Sequence, residues 1–417
     1  MSRTLYIFFL LFLPITASAQ FATSFSSSVR SPQMVLNEVW SDPPVMQLGS
    51  DDVIHFSFDE MSHTYRRYTY RLTHRNSDWT LSDLIEIDYL DGFNNVPVED
   101  WENSINTTQL YTHYSFDIPN ENISLKLSGN YRVEVFDEEL SDEVPILRYD
   151  FSVVDTRVGI GAKVSGDTDR SLNDGEQQLS FVVDYSRYQV SSPASELKPV
   201  IYQNRRRYSV VSGINPTYLT ANRAEYVHNS KLIFDAGNEY RRFELTDPNS
   251  PGFNVEEVVY QEPDYHAILH MDKVRRSHSN YRDENGLFYV NTLEGYGSPI
   301  EADYVYVHFA LNAPFRSGGG YYLIGDLCGD GFRGPEKLEY DHEGGYYFTS
   351  KLLKLGIYNY MYVWLPDGSL VPELSISEGN WYNTENEYMI YVYHRAFGER
   401  YDRLVGVHVV KYGIERN

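Results

Sequence analysis

The eight residues YTYRLTHR, positions 68–75, alternate without a break. Tyr68, Tyr70, Leu72 and His74 fall on one side of an extended chain, and Thr69, Arg71, Thr73 and Arg75 on the other. Successive side chains of a strand point to opposite faces, so this pattern marks a half-buried β-strand. The chain then turns polar at Asn76, Ser77 and Asp78 and runs on as WTLSDLIEIDYLDGFN to position 94. Asp78 is suited to cap one short turn of helix there. His74 and Trp79 are expected to pack and to position the turn, with no chemistry of their own.

The same alternation recurs down the chain. Tyr131, Val133 and Val135 share a face in GNYRVEVFD, and Leu147, Tyr149, Phe151 and Val153 do so in LRYDFSVVD. Leu179, Phe181, Val183 and Tyr185 repeat it in QQLSFVVDY. In DYVYVHFAL, Tyr304, Tyr306 and His308 oppose Val305, Val307 and Phe309. Turn clusters at 91–92, 128–130, 173–175 and 366–368 punctuate these runs, and no long amphipathic helix competes with them. Many short strands between frequent turns predict an all-β fold of tandem immunoglobulin-like antiparallel β-sandwich domains.

The expected partition follows changes in composition. Residues 1–19 read as a cleaved signal peptide: Arg3 gives a positive start, 5–13 an apolar run too short to span a bilayer, and Ala17-Ser18-Ala19 a cleavage site. Residues 20–32 read as an N-terminal tail and 33–156 as the first sandwich. The polar, Gly-rich RVGIGAKVSGDTDRSLNDGE leads into a second β-rich region, 157–286. Residues 287–417 read as a C-terminal sandwich of immunoglobulin-like or carbohydrate-module-like type. No later segment has the apolar length of a transmembrane helix, so the mature chain is expected to be exported and soluble or peripheral to a membrane.

Charge narrows the partners. The chain carries 59 acidic and 35 basic side chains, a formal net charge of −24, which repels nucleic acid and anionic lipid. Arg205, Arg206 and Arg207 form the best candidate for a basic patch, and a triplet between strands reads as a solvated turn or a set of carboxylate partners. The single cysteine, Cys328, rules out an internal disulfide and reads as a small buried hydrophobe. The 37 tyrosines suit strands, where a flat ring packs well on a pleated face.

Motifs for chemistry are weak. His266 and His270 in HAILH have the spacing of a helical zinc pair, but Ala267 stands where a zinc protease needs Glu. The acidic loop starting at Asp167 fails as an EF-hand, with Leu172 in place of the sixth-position Gly and Gln178 in place of the twelfth-position Glu. RSGGGYY is not followed by Lys-Ser/Thr and is no phosphate loop. In GIYNYMYVW, Tyr358, Tyr360, Tyr362 and Trp364 share a strand face. Four aligned aromatics suit a glycan-binding platform, or the inner layer of a sandwich in which each ring buries ~150–250 Å². The opposite face, Asn359, Met361 and Val363, is mixed, so parity leaves both open.

The run 68–94, followed by SINTTQLYTHYSFDIPN (104–120) and SGNYRVEV (128–135), resembles the first domain of the type IX secretion system plug protein family. The matching positions are His74, Asn76, Asp78, Trp79, Tyr89, Leu90, Gly92 and Phe93. After them come Ser104, Asn106, Thr107, Tyr111, Tyr114, Pro119, Asn120 and Ser128 to Tyr131. The resemblance continues through VIYQNRRRY, KLIFDAGNEYRRFEL, YRDENGLFYV and EADYVYVHFAL, in order. It implies a periplasmic, non-enzymatic protein with no cofactor, no bound metal and no nucleic-acid partner. Such a protein binds the outer-membrane translocon barrel of the type IX system and plugs its periplasmic mouth. It implies a protein peripheral to the inner side of the outer membrane that acts without forming a homo-oligomer.

Overall fold

A computed structural model describes residues 22–140, 143–292, 299–328, 332 and 334–413. Residues 1–21, which contain the expected signal peptide, lie outside the described residues. What is described is nearly all β, with only single turns of helix.

The strand Tyr68–Arg75 forms as its alternation demands, with every second residue buried. It pairs antiparallel with Gly129–Asp137, which pairs in turn with Leu147–Val154. This register lines up His74, Tyr131 and Phe151 across the sheet, then Leu72, Val133 and Tyr149, then Tyr70, Val135 and Leu147. A second sheet of Val29–Leu36, Ile54–Glu60, Thr112–Ile118 and Asp100–Asn103 closes over these rows. Phe116 stacks on Tyr70 with ring centroids 4.2 Å apart, and Phe56 meets Tyr149 edge-on at 5.2 Å. Tyrosine and phenylalanine thus build the first sandwich from both sides.

Two boundaries differ from expectation. The described part of the 20–32 tail is not loose: Ala22–Ser24 pairs with Leu147–Val154, and Val29–Leu36 pairs with Ile54–Glu60 across a bulge between Arg30 and Gln33. The boundary at 286 does not separate two folding units. The second sandwich has one sheet of Gly159–Ser165, Glu176–Asp184, Arg223–Tyr226, Tyr218–Leu219 and Ile233–Asp235. Its facing sheet is Leu197–Gln203, Glu387–His394 and Arg403–Lys411, so its last two strands come from the far end of the chain. The strands from Arg241 to Pro366 belong to the third sandwich, which is nested inside the second. There Gly356–Pro366 pairs with Arg241–Leu245, Phe288–Val290 and Gly319–Ile324. The opposing sheet is built on Asp264–Leu269, Tyr304–Asn312 and Tyr346–Lys354.

All eight residues of Glu387–His394 are buried. One face packs Tyr388, Ile390 and Val392 into the second sandwich; the other packs Met389, Tyr391 and Tyr393 against Val154 of the first. The first and second sandwiches therefore share a buried surface.

Candidate functional site

The places that the sequence marked are best taken in turn. The aromatic row does not reach solvent. Tyr358, Tyr360, Tyr362 and Trp364 are 2%, 0%, 0% and 2% exposed and lie in the core of the third sandwich. The Tyr360 and Tyr362 hydroxyls both donate to one Asp272 carboxylate oxygen, at 2.8 and 3.0 Å. Arg241 Nη1 donates to the other oxygen at 2.6 Å. Rings that are covered and hydroxyls that are already bonded cannot stack on a sugar, so the glycan platform is replaced by a core layer. The other face is buried too, with Met361 and Val363 packed near Tyr240 and Ile324. A strand buried on both sides defeats a parity argument.

The smaller motifs resolve similarly. His266 Nδ1 lies 2.9 Å from His308 Nε2, while His270 is exposed beside Glu256. Among the described residues no group of three or more His, Cys, Asp or Glu is placed to hold a metal ion. In the acidic loop, Asp169 is occupied by Gln178 and His228. Cys328 is buried, its thiol bonds to the Leu323 carbonyl, and burial pushes it up to about 12. A thiol held so firmly protonated is a poor nucleophile.

The arginine triplet is a joint, not a solvated turn. Arg206 and Arg207 are buried. Arg207 pairs with Asp150 of the first sandwich and covers the Trp79 ring at 4.1 Å from its centroid. Arg206 donates to the Tyr240 hydroxyl at 2.9 Å, and Arg205 reaches the Ser41 and Asp42 carbonyls. Arg132 completes the Asp150 cluster through two bonds of 2.7 and 2.9 Å.

The turn after Tyr68–Arg75 is a second joint. Asp402 of the second sandwich accepts from the Ser77 backbone N–H at 3.0 Å, the Ser77 hydroxyl at 2.7 Å and Lys198 at 2.7 Å. Trp79 takes a left-handed backbone, φ 65°, and its indole N–H donates to Tyr202 at 3.2 Å. His74 is buried under the turn, with Nδ1 3.0 Å from the Ser82 hydroxyl and Nε2 3.2 Å from the Ser128 carbonyl. Burial pushes its imidazole down to about 4. Both residues thus position the turn. The helix differs from expectation: Asp78 accepts from Thr80, and the single helical turn, Glu86–Tyr89, starts further on, with Asp88 bonded to the Ile85 N–H at 3.1 Å.

A third joint links the first and third sandwiches at Asp59, 1% exposed. Lys354, His113 and Tyr304 each approach its carboxylate to 2.6 Å. Burial alone would raise this acid; Lys354 and His113 outweigh it and hold the carboxyl below its ordinary range. Sequence patterns missed Asp59, because no local motif marks a carboxylate whose cation stands 295 positions away. Breaking one side of a buried pair of this kind costs about 3–5 kcal/mol, so such joints hold units in a fixed geometry.

What remains outward is the excursion after the turn. Leu81 bridges Arg75, Ser82 N–H donates to the His74 carbonyl, and Asn94 brackets both backbone groups of Leu72. Val96–Pro97 then pairs with Tyr70 and Thr69. Residues 81–97 therefore cover the free edge of Tyr68–Arg75. Tyr89 and Leu90 point inward to the core, while Leu81, Ile85, Ile87 and Phe93 stay exposed.

Comparison with known proteins now gives this geometry a family. The family model "Type 9 secretion system plug protein 1st domain" matches residues 29–155, the span of the first sandwich from Val29–Leu36 onward, without Ala22–Ser24. No curated protein matches the chain. A crystal structure of a hypothetical protein from Parabacteroides merdae ATCC 43184 superposes with a TM-score of 0.92 at 36% identity, over 94% of this chain and 99% of that one. Among the described residues no helix is long and apolar enough to cross a membrane. Residues 29–155 belong to the first domain of the type IX secretion system plug protein family, and that domain ties the chain to type IX secretion.

Proposed function

We propose that this protein binds the outer-membrane translocon barrel of the type IX system from the periplasm and plugs its periplasmic mouth. It acts as a single copy, peripheral to the inner side of the outer membrane, and without catalysis. The match of residues 29–155 to the plug domain carries this reading. A channel wide enough for folded proteins leaks unless something fills it, and a filler has to keep its shape. Three sandwiches tied by the buried clusters at Asp59, Asp150 and Asp402 support that demand. The net charge of −24 keeps the free protein soluble and favours a partner with a basic rim.

The test is outer-membrane permeability. Deleting the gene in cells that also lack the gate partner of the barrel should raise sensitivity to vancomycin. Unchanged vancomycin sensitivity in that double background would remove the plug from consideration.

A further inference from the structure

Covering a strand edge explains why Leu84, Tyr89 and Leu90 point inward. It does not explain the other side of the same excursion. Leu81, Ile85, Ile87 and Phe93 are 61%, 64%, 71% and 87% exposed. The hairpin joining Glu387–His394 to Arg403–Lys411 adds Phe397 at its tip, 103% exposed. The two loops are fastened together: Arg400 donates to Asp88 at 2.9 Å and to the Asp83 carbonyl at 3.4 Å. Arg395 bonds Asn76, and Lys126 holds the Ile87 carbonyl at 2.7 Å. Five large apolar side chains thus stand on one edge of the molecule, on backbone that one ion pair and three hydrogen bonds hold. Elsewhere large exposed apolar side chains come singly, as at Leu140 and Leu172, or in pairs, as at Tyr218 and Leu219, Leu370 and Val371, and Tyr65 and Trp101. Clustered exposure of this kind marks a binding surface.

Charge decides which kind. Asp83, Glu86 and Asp91 are exposed among these apolar residues. A segment that enters a membrane interface carries free Lys and Arg beside its apolar face; here Arg400 is paired with Asp88 and Lys126 is bonded to the Ile87 carbonyl, and the side chain between Ile85 and Ile87 is a carboxylate. Acids around apolar knobs fit a protein face whose apolar pocket is fringed by lysine or arginine.

We propose that the 81–93 excursion and the Phe397 hairpin together form the docking edge of this protein, with Ile85, Ile87, Phe93 and Phe397 seated in an apolar, basic-rimmed pocket of the translocon barrel. This rests on the plug reading and adds where the contact is made. The first and second sandwiches supply one loop each, so the edge exists only when the joint at Asp402 is formed.

The test compares tagged wild-type protein with an Ile85→Ser/Ile87→Ser/Phe397→Ser variant and a Leu370→Ser/Val371→Ser control. Each is expressed in place of the native copy, captured from outer membranes solubilised in mild detergent, and scored for co-purified barrel. The variant should recover at least tenfold less barrel, and the control as much as wild type. Equal recovery by variant and wild type overturns the docking edge and leaves the plug reading standing. No barrel with wild type itself overturns the plug reading and this proposal with it. Flotation with phosphatidylethanolamine–phosphatidylglycerol vesicles that is lost in the variant would make the edge a lipid contact and overturn the proposal. Thermal melts should coincide for all three proteins. Should the triple variant melt early, Phe397→Ser alone decides, with a severalfold loss expected and full recovery fatal.

Discussion

At the residue scale, His74 shows how burial sets a side chain's role. It lies under the 76–81 turn, faces Tyr131 and Tyr401, and senses Asp402 and Arg395. Burial holds the ring neutral down to about 4, while the unfolded chain protonates it near the ordinary 6.5. The unfolded state thus binds the extra proton between those values. Stability from this group is complete above about 6.5 and falls as pH drops toward 4, by up to about 3 kcal/mol. Urea midpoints of wild type and His74→Gln at pH 7 and pH 4.5 isolate the effect from that of the carboxylates. The wild type should lose more stability than the variant over that interval, and parallel losses would contradict a neutral buried imidazole.

At the element scale, strand order and strand edges matter more than composition. Gly129 opens Gly129–Asp137 with φ 143°, and an added Cβ would stand 2.3 Å from His74 Nε2. The ring has no free direction, since both its nitrogens are bonded. Gly129→Ala is expected to cost about 2–5 kcal/mol through backbone strain and overpacking, read as a lower urea midpoint. A cost under about 0.5 kcal/mol would show that the His74 pocket is loose. The alternation in residues 68–75, 131–135, 147–153 and 179–185 was legible because apolar side chains alternate there with mostly polar ones, which are partly wetted in three of these strands and, in 147–153, include the buried, hydrogen-bonded Asp150 and Ser152. In Gly356–Pro366 the strand was legible but not the burial of its aromatic face, and Glu387–His394 showed no alternation, because both faces of each strand are buried.

At the scale of the whole molecule, nesting sets what can fold alone. A fragment of residues 157–286 keeps Leu197–Gln203 but loses its partner Glu387–His394, together with the facing residues Tyr388, Ile390, Val392 and Val405. That fragment should be unfolded by circular dichroism and degraded rapidly by trypsin, while the full chain melts in one transition. A cooperative melt of the isolated fragment would mean that the second sandwich does not need its C-terminal strands. The three joints at Asp59, Asp150 and Asp402 make the same demand electrostatically, since each carboxylate has cations from another unit or from distant strands.

The sequence by itself determined the all-β class, the inward faces of the alternating strands and, through ordered matches along residues 68–135 and beyond, the plug family. These depend on local period and on residue identity, which a chain displays without folding. Tertiary structure alone decided the rest. It buried the Tyr358–Tyr360–Tyr362–Trp364 face and turned Arg205–Arg207 into a joint. It nested the third sandwich in the second and brought Phe397 to the edge that carries Ile85 and Ile87. Each of these turns on which distant strands pair and which surfaces are covered, and a pairing between residues about 190 positions apart leaves no mark on either segment's own pattern.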